Sequence, residues 1–191
     1  MDNESFKVMN LEKAILVLNI DLNDNLVKKL IRYIKYRAHE PMKVRSGVDK
    51  KIRNVRGHTL NGDTISDKIY FKYITGILFQ FLPNYNVMFS HNRARNCNQV
   101  DLLKYTPGGK YEIHIDHDLD APRTISCIIN LNDNYEGGDF VFYDPIDSKK
   151  EIKRVKCKKG TIIYFPSNYL FPHSVEPITK GTRYSVVSWI V

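Results

Sequence analysis

The pattern of residue types from Asn86 onward is the sequence feature that most constrains the fold. Short runs rich in β-branched and aromatic residues alternate there with glycine-, proline- and aspartate-containing turns. Short strands at such spacing are typical of antiparallel double-sheet proteins. The predicted strands are residues 87–89, 99–105, 111–116, 123–131, 139–142, 151–156, 161–165, 173–175 and 183–191. The pattern predicts a jelly-roll β-barrel in the second half of the chain.

The first half predicts helices that brace this barrel. Residues 11–20 form a first apolar element, and Asp21 or Asn23 then caps an amphipathic helix that runs to about Ala38. A second helix begins at residues 63–66 and runs to Leu82, where Pro83 is expected to stop it. We therefore predict a single α+β domain over residues 1–191, with helical support over about 1–85 and the jelly-roll core over about 86–191.

A basic segment, residues 43–62, separates the two predicted helices. It is polar and contains Gly47, Gly57 and Gly62, which indicates a loop or a weak strand pair. It fits equally well a mobile lid over a substrate and an ordinary surface loop.

Charge and composition set limits on compartment and partners. The net charge is +8, with basic residues concentrated in 28–56 and 149–159. These stretches lack a regular interleaving of aromatic residues, so a solvated basic surface is favoured over a site for an acidic partner, either nucleic acid or an acidic protein segment. No apolar run is long enough to span a bilayer, and the acidic N-terminus does not resemble a secretory signal. We expect a cytoplasmic protein without membrane association.

The cysteines, Cys97, Cys127 and Cys157, are odd in number and widely spaced, which disfavours a disulfide framework and a structural zinc site.

Three residues in the second half have the character of metal ligands. His114 and Asp116 lie two apart in a predicted strand, so their side chains share one face. His173 precedes a later strand and can supply a third ligand. Two histidines and one carboxylate on one face of a metal are the arrangement that suits non-haem Fe(II) oxygenases.

Arg183 begins the last predicted strand, ten residues after His173. An arginine inside a barrel is costly unless it is paired, and its planar guanidinium matches a carboxylate. An inward-facing Arg183 would suit an oxo-acid cosubstrate that also chelates iron. A protein carboxylate could pair with it instead, or the side chain could lie on an exposed edge.

Four ordered blocks of sequence resemble the prolyl 4-hydroxylases. The run 99–116 resembles their Tyr-x-Pro-Gly…Tyr-x-x-His-x-Asp block, with matches at Tyr105, Pro107, Gly108, Tyr111, His114 and Asp116. The other blocks are residues 123–132, 136–139 and 172–189, and the resemblance covers about residues 86–191.

This resemblance implies a 2-oxoglutarate- and Fe(II)-dependent dioxygenase with a double-stranded β-helix core. It assigns iron to His114, Asp116 and His173, and it places the distal carboxylate of 2-oxoglutarate on Arg183, with a hydrogen bond from Tyr105. Arg123 and Trp189 are placed on the substrate side. Asn130 stands at a cosubstrate position where relatives often have tyrosine.

The resemblance further implies hydroxylation of prolyl residues in an intracellular protein or peptide, with O2 consumed, succinate and CO2 released, and ascorbate as the expected reductant. The same chemistry on a free amino acid, another side chain or a nucleobase is the alternative. No basic residue follows Arg183, which disfavours a nucleobase demethylase. A non-catalytic binding module is a third hypothesis, disfavoured by the complete ligand set.

Overall fold

The described residues, 10–44, 46–117 and 123–191 of a computed structural model, form two long helices and three antiparallel sheets. The helices are α1, Asp24–Arg37, and α2, Ile65–Asn86. The strands are β1 Leu16–Asn19, β2 Glu40–Pro41, β3 Arg53–Asn54, β4 Arg56–Thr59, β5 Cys97–Tyr105, β6 Lys110–His114, β7 Ile125–Asn130, β8 Tyr135–Gly137, β9 Phe140–Tyr143, β10 Glu151–Val155, β11 Thr161–Pro166, β12 His173–Val175, β13 Ile178–Gly181 and β14 Arg183–Ile190.

The strands are arranged in a large and a small sheet that share a core. The large sheet has the order β1-β11-β7-β14-β5-β4-β2, the small sheet has the order β10-β9-β12-β6-β3, and β13 pairs with β8. Every residue of β7 and β14 is buried, because the helices cover one face of the large sheet and the small sheet covers the other. Such strands have continuous rather than alternating apolar sequences. Antiparallel strands braced by helices on one face agree with the predicted architecture.

Helix α1 begins where the sequence indicates. The Asn23 side chain accepts a hydrogen bond from the Leu26 backbone N–H, which is an N-cap interaction. Val27, Leu30 and Ile34 recur on one helical face and pack into the core with the large sheet.

Helix α2 does not end at Leu82, and this prediction is wrong. The helix continues through Pro83 to Asn86. Proline removes one helical N–H, but Leu82 and Tyr85 are both buried, and their packing outweighs that loss. Residues 87–89 form a turn at the end of this helix instead of the predicted strand.

The basic segment 43–62 contains the predicted weak strands, and they join the two sheets. β3 pairs with β6 in the small sheet, while β4 pairs with β5 in the large sheet. Gly57 is required at this crossing because a Cβ there would overlap Met42 and lie 3.0 Å from the Leu102 carbonyl oxygen.

No helix in the described ranges is long and apolar enough to cross a membrane. The three cysteines are free thiols, in agreement with the prediction.

Candidate metal centre and its cavity

His114, Asp116 and His173 come together at the open end of the small sheet. His114 ends β6, His173 begins β12, and the two face each other in register across this strand pair. Asp116 lies two residues beyond β6. Its carboxylate oxygens are 3.8 Å from His114 Nε2 and 3.7 Å from His173 Nε2, and all three ligand atoms lie within 4.8 Å of one another. These separations suit three ligands around a single ion.

Backbone carbonyls fix the orientation of both imidazoles. His114 Nδ1 lies 2.8 Å from the Glu112 carbonyl oxygen, and His173 Nδ1 lies 3.0 Å from the Phe171 carbonyl oxygen. Because a carbonyl only accepts, each Nδ1 carries the proton and each Nε2 presents a lone pair to the centre.

The protonation states favour metal binding at neutral pH. Burial and the neighbouring His173 ring lower the pKa of His114 to about 3. Burial alone would raise the pKa of Asp116, but the two histidines and the Ser126 hydroxyl, which donates a 2.6 Å hydrogen bond, hold it below its usual value. The centre therefore offers a neutral His114 and an ionised Asp116.

Aromatic rings hold the two histidines in place. Tyr111 stacks on His114 at 3.5 Å between ring centroids, and Phe140 stacks on His173 at 5.0 Å. Such packing limits the rotation of each imidazole and keeps Nε2 directed at the shared point.

The centre opens into a cavity of about 610 Å³. Of the residues predicted from the sequence, it is lined by the three ligands, Tyr105, Arg123 and Trp189. The Arg123 guanidinium lies 3.8 Å from the centre of the Trp189 ring and donates a 3.0 Å hydrogen bond to the Asp116 carbonyl oxygen. The predicted substrate-side pair is thus joined to the metal-ligand segment.

Arg183 is inside the molecule but does not itself line this cavity. It is 1% exposed, and its Cζ lies 5.2 Å from the centre of the Tyr105 ring, which does line the cavity. Its Nη2 is buried without a hydrogen-bond partner in the described chain. A buried guanidinium nitrogen without a partner is costly, so Arg183 has the character expected of a residue that binds an absent anion.

Asn130 faces Arg183. Its Oδ1 accepts a 2.9 Å hydrogen bond from Arg183 Nε, and its amide nitrogen donates to the carbonyl oxygens of Asn132 and Lys158. Cosubstrate binding by Asn130 stays a prediction. What the structure shows is that Asn130 orients Arg183.

Tyr135 was missed by the sequence analysis. Its hydroxyl donates to the Cys157 carbonyl oxygen at 3.0 Å and lies 3.4 Å from Asn130 Oδ1. The available signal was a tyrosine five residues after Asn130, directly before the Glu136-Gly137-Gly138 turn. Gly138 lies in this turn at φ +70°, and a Cβ added there would lie 3.4 Å from both the Arg183 and the Tyr135 side chains.

Comparisons with known proteins agree with this geometry. Residues 100–191 match the model of the 2OG-Fe(II) oxygenase superfamily. Human prolyl 3-hydroxylase 2 is 39% identical over 67 residues, which are 35% of this chain and 9% of that protein. A PKHD-type hydroxylase of Idiomarina loihiensis is 30% identical over 120 residues, 61% of this chain and 52% of the relative.

Solved structures with the same fold include two prolyl hydroxylases. A Pseudomonas putida prolyl-4-hydroxylase superposes with a TM-score of 0.72 at 22% identity, covering 93% of this chain and 92% of that one. A Trichoplax adhaerens prolyl hydroxylase, in complex with a hypoxia inducible factor peptide fragment, gives 0.76 at 18% identity, covering 93% and 83%.

The match of residues 100–191 and the three converging metal ligands agree with one class of protein, the 2OG-Fe(II) oxygenases. The similarity to a PKHD-type hydroxylase and the fold shared with a prolyl-4-hydroxylase agree with the resemblance that the sequence predicted. The matched segment spans about half the length of the Idiomarina relative and a smaller share of the human one.

Proposed function

We propose that this chain is a 2-oxoglutarate- and Fe(II)-dependent dioxygenase that hydroxylates prolyl residues of a protein or peptide, on a double-stranded β-helix core formed by its two larger sheets. The observation that carries the proposal is the pairing of three converging metal ligands with a buried, incompletely partnered Arg183 beside the same cavity. Fe(II), 2-oxoglutarate and O2 are the cofactors and cosubstrates implied, with ascorbate as the reductant.

The metal ligands are held by the protein before any ion binds. The two carbonyl-anchored imidazoles and the Ser126-bound carboxylate of Asp116 would hold Fe(II) and leave its remaining positions open. When bound, Fe(II) and 2-oxoglutarate supply the oxidising chemistry, in which O2 and a substrate C–H bond yield a hydroxylated product, succinate and CO2.

Arg183 would bind the distal carboxylate of the cosubstrate. Its Nε is fixed by Asn130, which leaves Nη2 as the donor without a partner. Tyr105, which contacts Arg183 and also lines the cavity, would lie between this carboxylate and the metal.

Arg123 and Trp189 would position the substrate. Their stacked side chains line the cavity, and the Arg123 guanidinium is anchored to the Asp116 backbone. This places a rigid polar group and an apolar ring on the side of the metal centre where a proline ring would enter.

The test is the conversion of 2-oxoglutarate to succinate with Fe(II) and ascorbate, with and without proline-containing peptides whose masses are read afterwards. We expect peptide-stimulated succinate formation and one added oxygen atom on a proline, both lost in His114→Ala. Succinate without peptide oxidation would move the assignment to a non-prolyl substrate. Absence of turnover under all conditions, with intact fold, would favour a binding module.

A further inference from the structure

Three basic side chains border the substrate side of the cavity. Lys43 and Arg53 both line the cavity, together with Arg123. Within residues 10–44, 46–117 and 123–191, none of the ion pairs involves Lys43 or Arg53. Six basic residues elsewhere in the chain do pair with a carboxylate, namely Lys110, Lys150, Lys153, Arg154, Lys159 and Lys180.

Arg53 is held firmly in position. Its backbone pairs with Tyr111 across β3 and β6, its guanidinium lies 4.6 Å from the centre of the Tyr111 ring, and its Nη1 donates to the Lys43 carbonyl oxygen at 2.9 Å. Its Nε is buried and has no hydrogen-bond partner in the described chain. A cation fixed in this way loses little conformational freedom when it meets an anion.

The described carboxylates that line the cavity are already engaged. Asp116 belongs to the metal centre and accepts from Ser126. Asp101 is 1% exposed and accepts hydrogen bonds from Thr59 and Gln99. Among the residues that the structure describes, the charges left for an incoming ligand at this end of the cavity are therefore positive.

The aromatic residues beside these cations are covered. Tyr111 is stacked between Arg53 and His114, and Trp189 is 5% exposed beneath Arg123. Nucleic-acid bases require open aromatic faces for stacking. Three exposed apolar side chains lie close by in the sequence: Ile52 directly precedes β3, Ile113 lies in β6 and Ile115 directly follows β6. A surface that combines cations with aliphatic side chains suits a peptide ligand better than a nucleic-acid ligand.

We infer that the substrate is an acidic peptide segment, with aspartate or glutamate flanking the residue that is modified, and that Lys43 and Arg53 bind these carboxylates. This inference rests on the proposed function, because it assigns the substrate class of the same site. The two cations select the substrate, while the metal ligands perform the chemistry.

The test measures binding directly, by fluorescence anisotropy with three labelled nine-residue peptides. Each has one central proline, flanked by glutamates, glutamines or lysines. We expect the glutamate peptide to bind about tenfold more tightly than the glutamine peptide at low salt, as two solvent-exposed ion pairs would give. The preference should shrink as salt is added.

Three variants make this test specific. Lys43→Gln and Lys43→Gln with Arg53→Gln should reduce the preference stepwise towards one. Lys156→Gln is the matched control, because Lys156 is an exposed lysine beyond β10, at the opposite edge of the small sheet. Lys43→Gln removes only an exposed side chain, so a folding defect in the Arg53 variant would still leave one informative substitution.

Equal affinities for the glutamate and glutamine peptides would overturn the inference. So would an equal loss of preference in Lys156→Gln, which would reveal a general charge effect, or displacement of the peptide by single-stranded RNA at lower concentration. If the glutamate peptide binds selectively but is not oxidised, the inference stands and prolyl hydroxylation fails. If prolines are oxidised without regard to flanking charge, the proposed function stands and the inference fails.

Discussion

At the scale of single residues, the sequence predicted the metal ligands. It did not predict all of the residues that hold Arg183 in position. The spacing of His114 and Asp116 predicts a shared direction from backbone alternation alone. In the structure both side chains point to the same site, although β6 ends at His114 and Asp116 lies beyond it. Tyr135 was not predictable because its contact with Asn130 depends on a glycine turn that folds β8 back beside Arg183.

Tyr135→Phe should weaken cosubstrate binding. The change removes the hydroxyl that lies beside Asn130, so Asn130 and Arg183 are held less firmly. Loss of one such hydrogen bond predicts a three- to tenfold rise in the KM for 2-oxoglutarate, or about 1 kcal/mol, with a smaller change in kcat. Steady-state kinetics measures this. Tyr73→Phe on helix α2 is the control, and an equal effect there would refute the role of Tyr135.

The metal-free protein should lose stability in mild acid because of His114. The pKa of this residue is lowered from 6.5 to about 3 by burial and by His173. The unfolded chain then binds more protons below pH 6.5, so unfolding becomes easier as pH falls through that value towards 3. We expect a loss of about 1–2 kcal/mol in the free energy of unfolding between pH 7 and pH 5. Urea titrations should show a flatter profile for His114→Gln, and an unchanged slope would contradict the assignment.

At the scale of elements, the helices, the long strands and the short β12 followed sequence patterns, while the pair β8–β13 did not. Asn23 and the apolar periodicity of α1 were sufficient to predict that helix. Strands β8 and β13 escaped prediction because each has few residues and their pairing depends on close contacts at Gly137 and Gly181. Pro83 was misleading because tertiary burial of the last turn of α2 overrides a local signal.

Helix α2 contains a site where stability can be raised. Gly76 is exposed, and a Cβ added there meets no atom within 4 Å. Gly76→Ala should therefore raise the free energy of unfolding by about 0.5–1 kcal/mol through reduced backbone entropy loss. Chemical denaturation provides the measurement. Gly160→Ala is the contrasting variant, because its φ is +82° and the new Cβ would overlap the Ile20 carbonyl oxygen, so it should destabilise.

At the scale of the whole molecule, the two sheets bring ligands from distant parts of the chain to one cavity. The β6–β12 pair carries the metal ligands, and β14 carries Arg183 and Trp189. The sequence could predict which residues take part, because each has the right chemistry. It could not predict that Arg183 contacts Tyr105 without lining the cavity, since this depends on how the two sheets pack.

Metal and cosubstrate should stabilise the fold in separable steps. Thermal unfolding with Mn(II) should show an increased Tm, and 2-oxoglutarate should increase the Tm further. At a hundredfold excess over Kd, the cosubstrate adds up to about 2.7 kcal/mol to the free energy of unfolding. His173→Ala should lose both responses. Arg183→Lys keeps the buried charge but loses the planar donor pair, so it should retain the Mn(II) response and lose most of the 2-oxoglutarate response. A full 2-oxoglutarate response in Arg183→Lys would contradict its role.

The basic segment 43–62 crosses between the two sheets, and this position determines which parts of the protein a substitution in the segment affects. β2 and β3 belong to opposite sheets and flank the stretch that begins with Lys43 and ends at Arg53, so these side chains lie on a backbone that is fixed at both ends. Exchanging Lys43 for another side chain leaves His114, Asp116 and His173 untouched, since none of them contacts it through a hydrogen bond or an ion pair. Under the proposed function, point substitutions in this one short stretch would change which substrate is bound and leave the metal ligands unchanged.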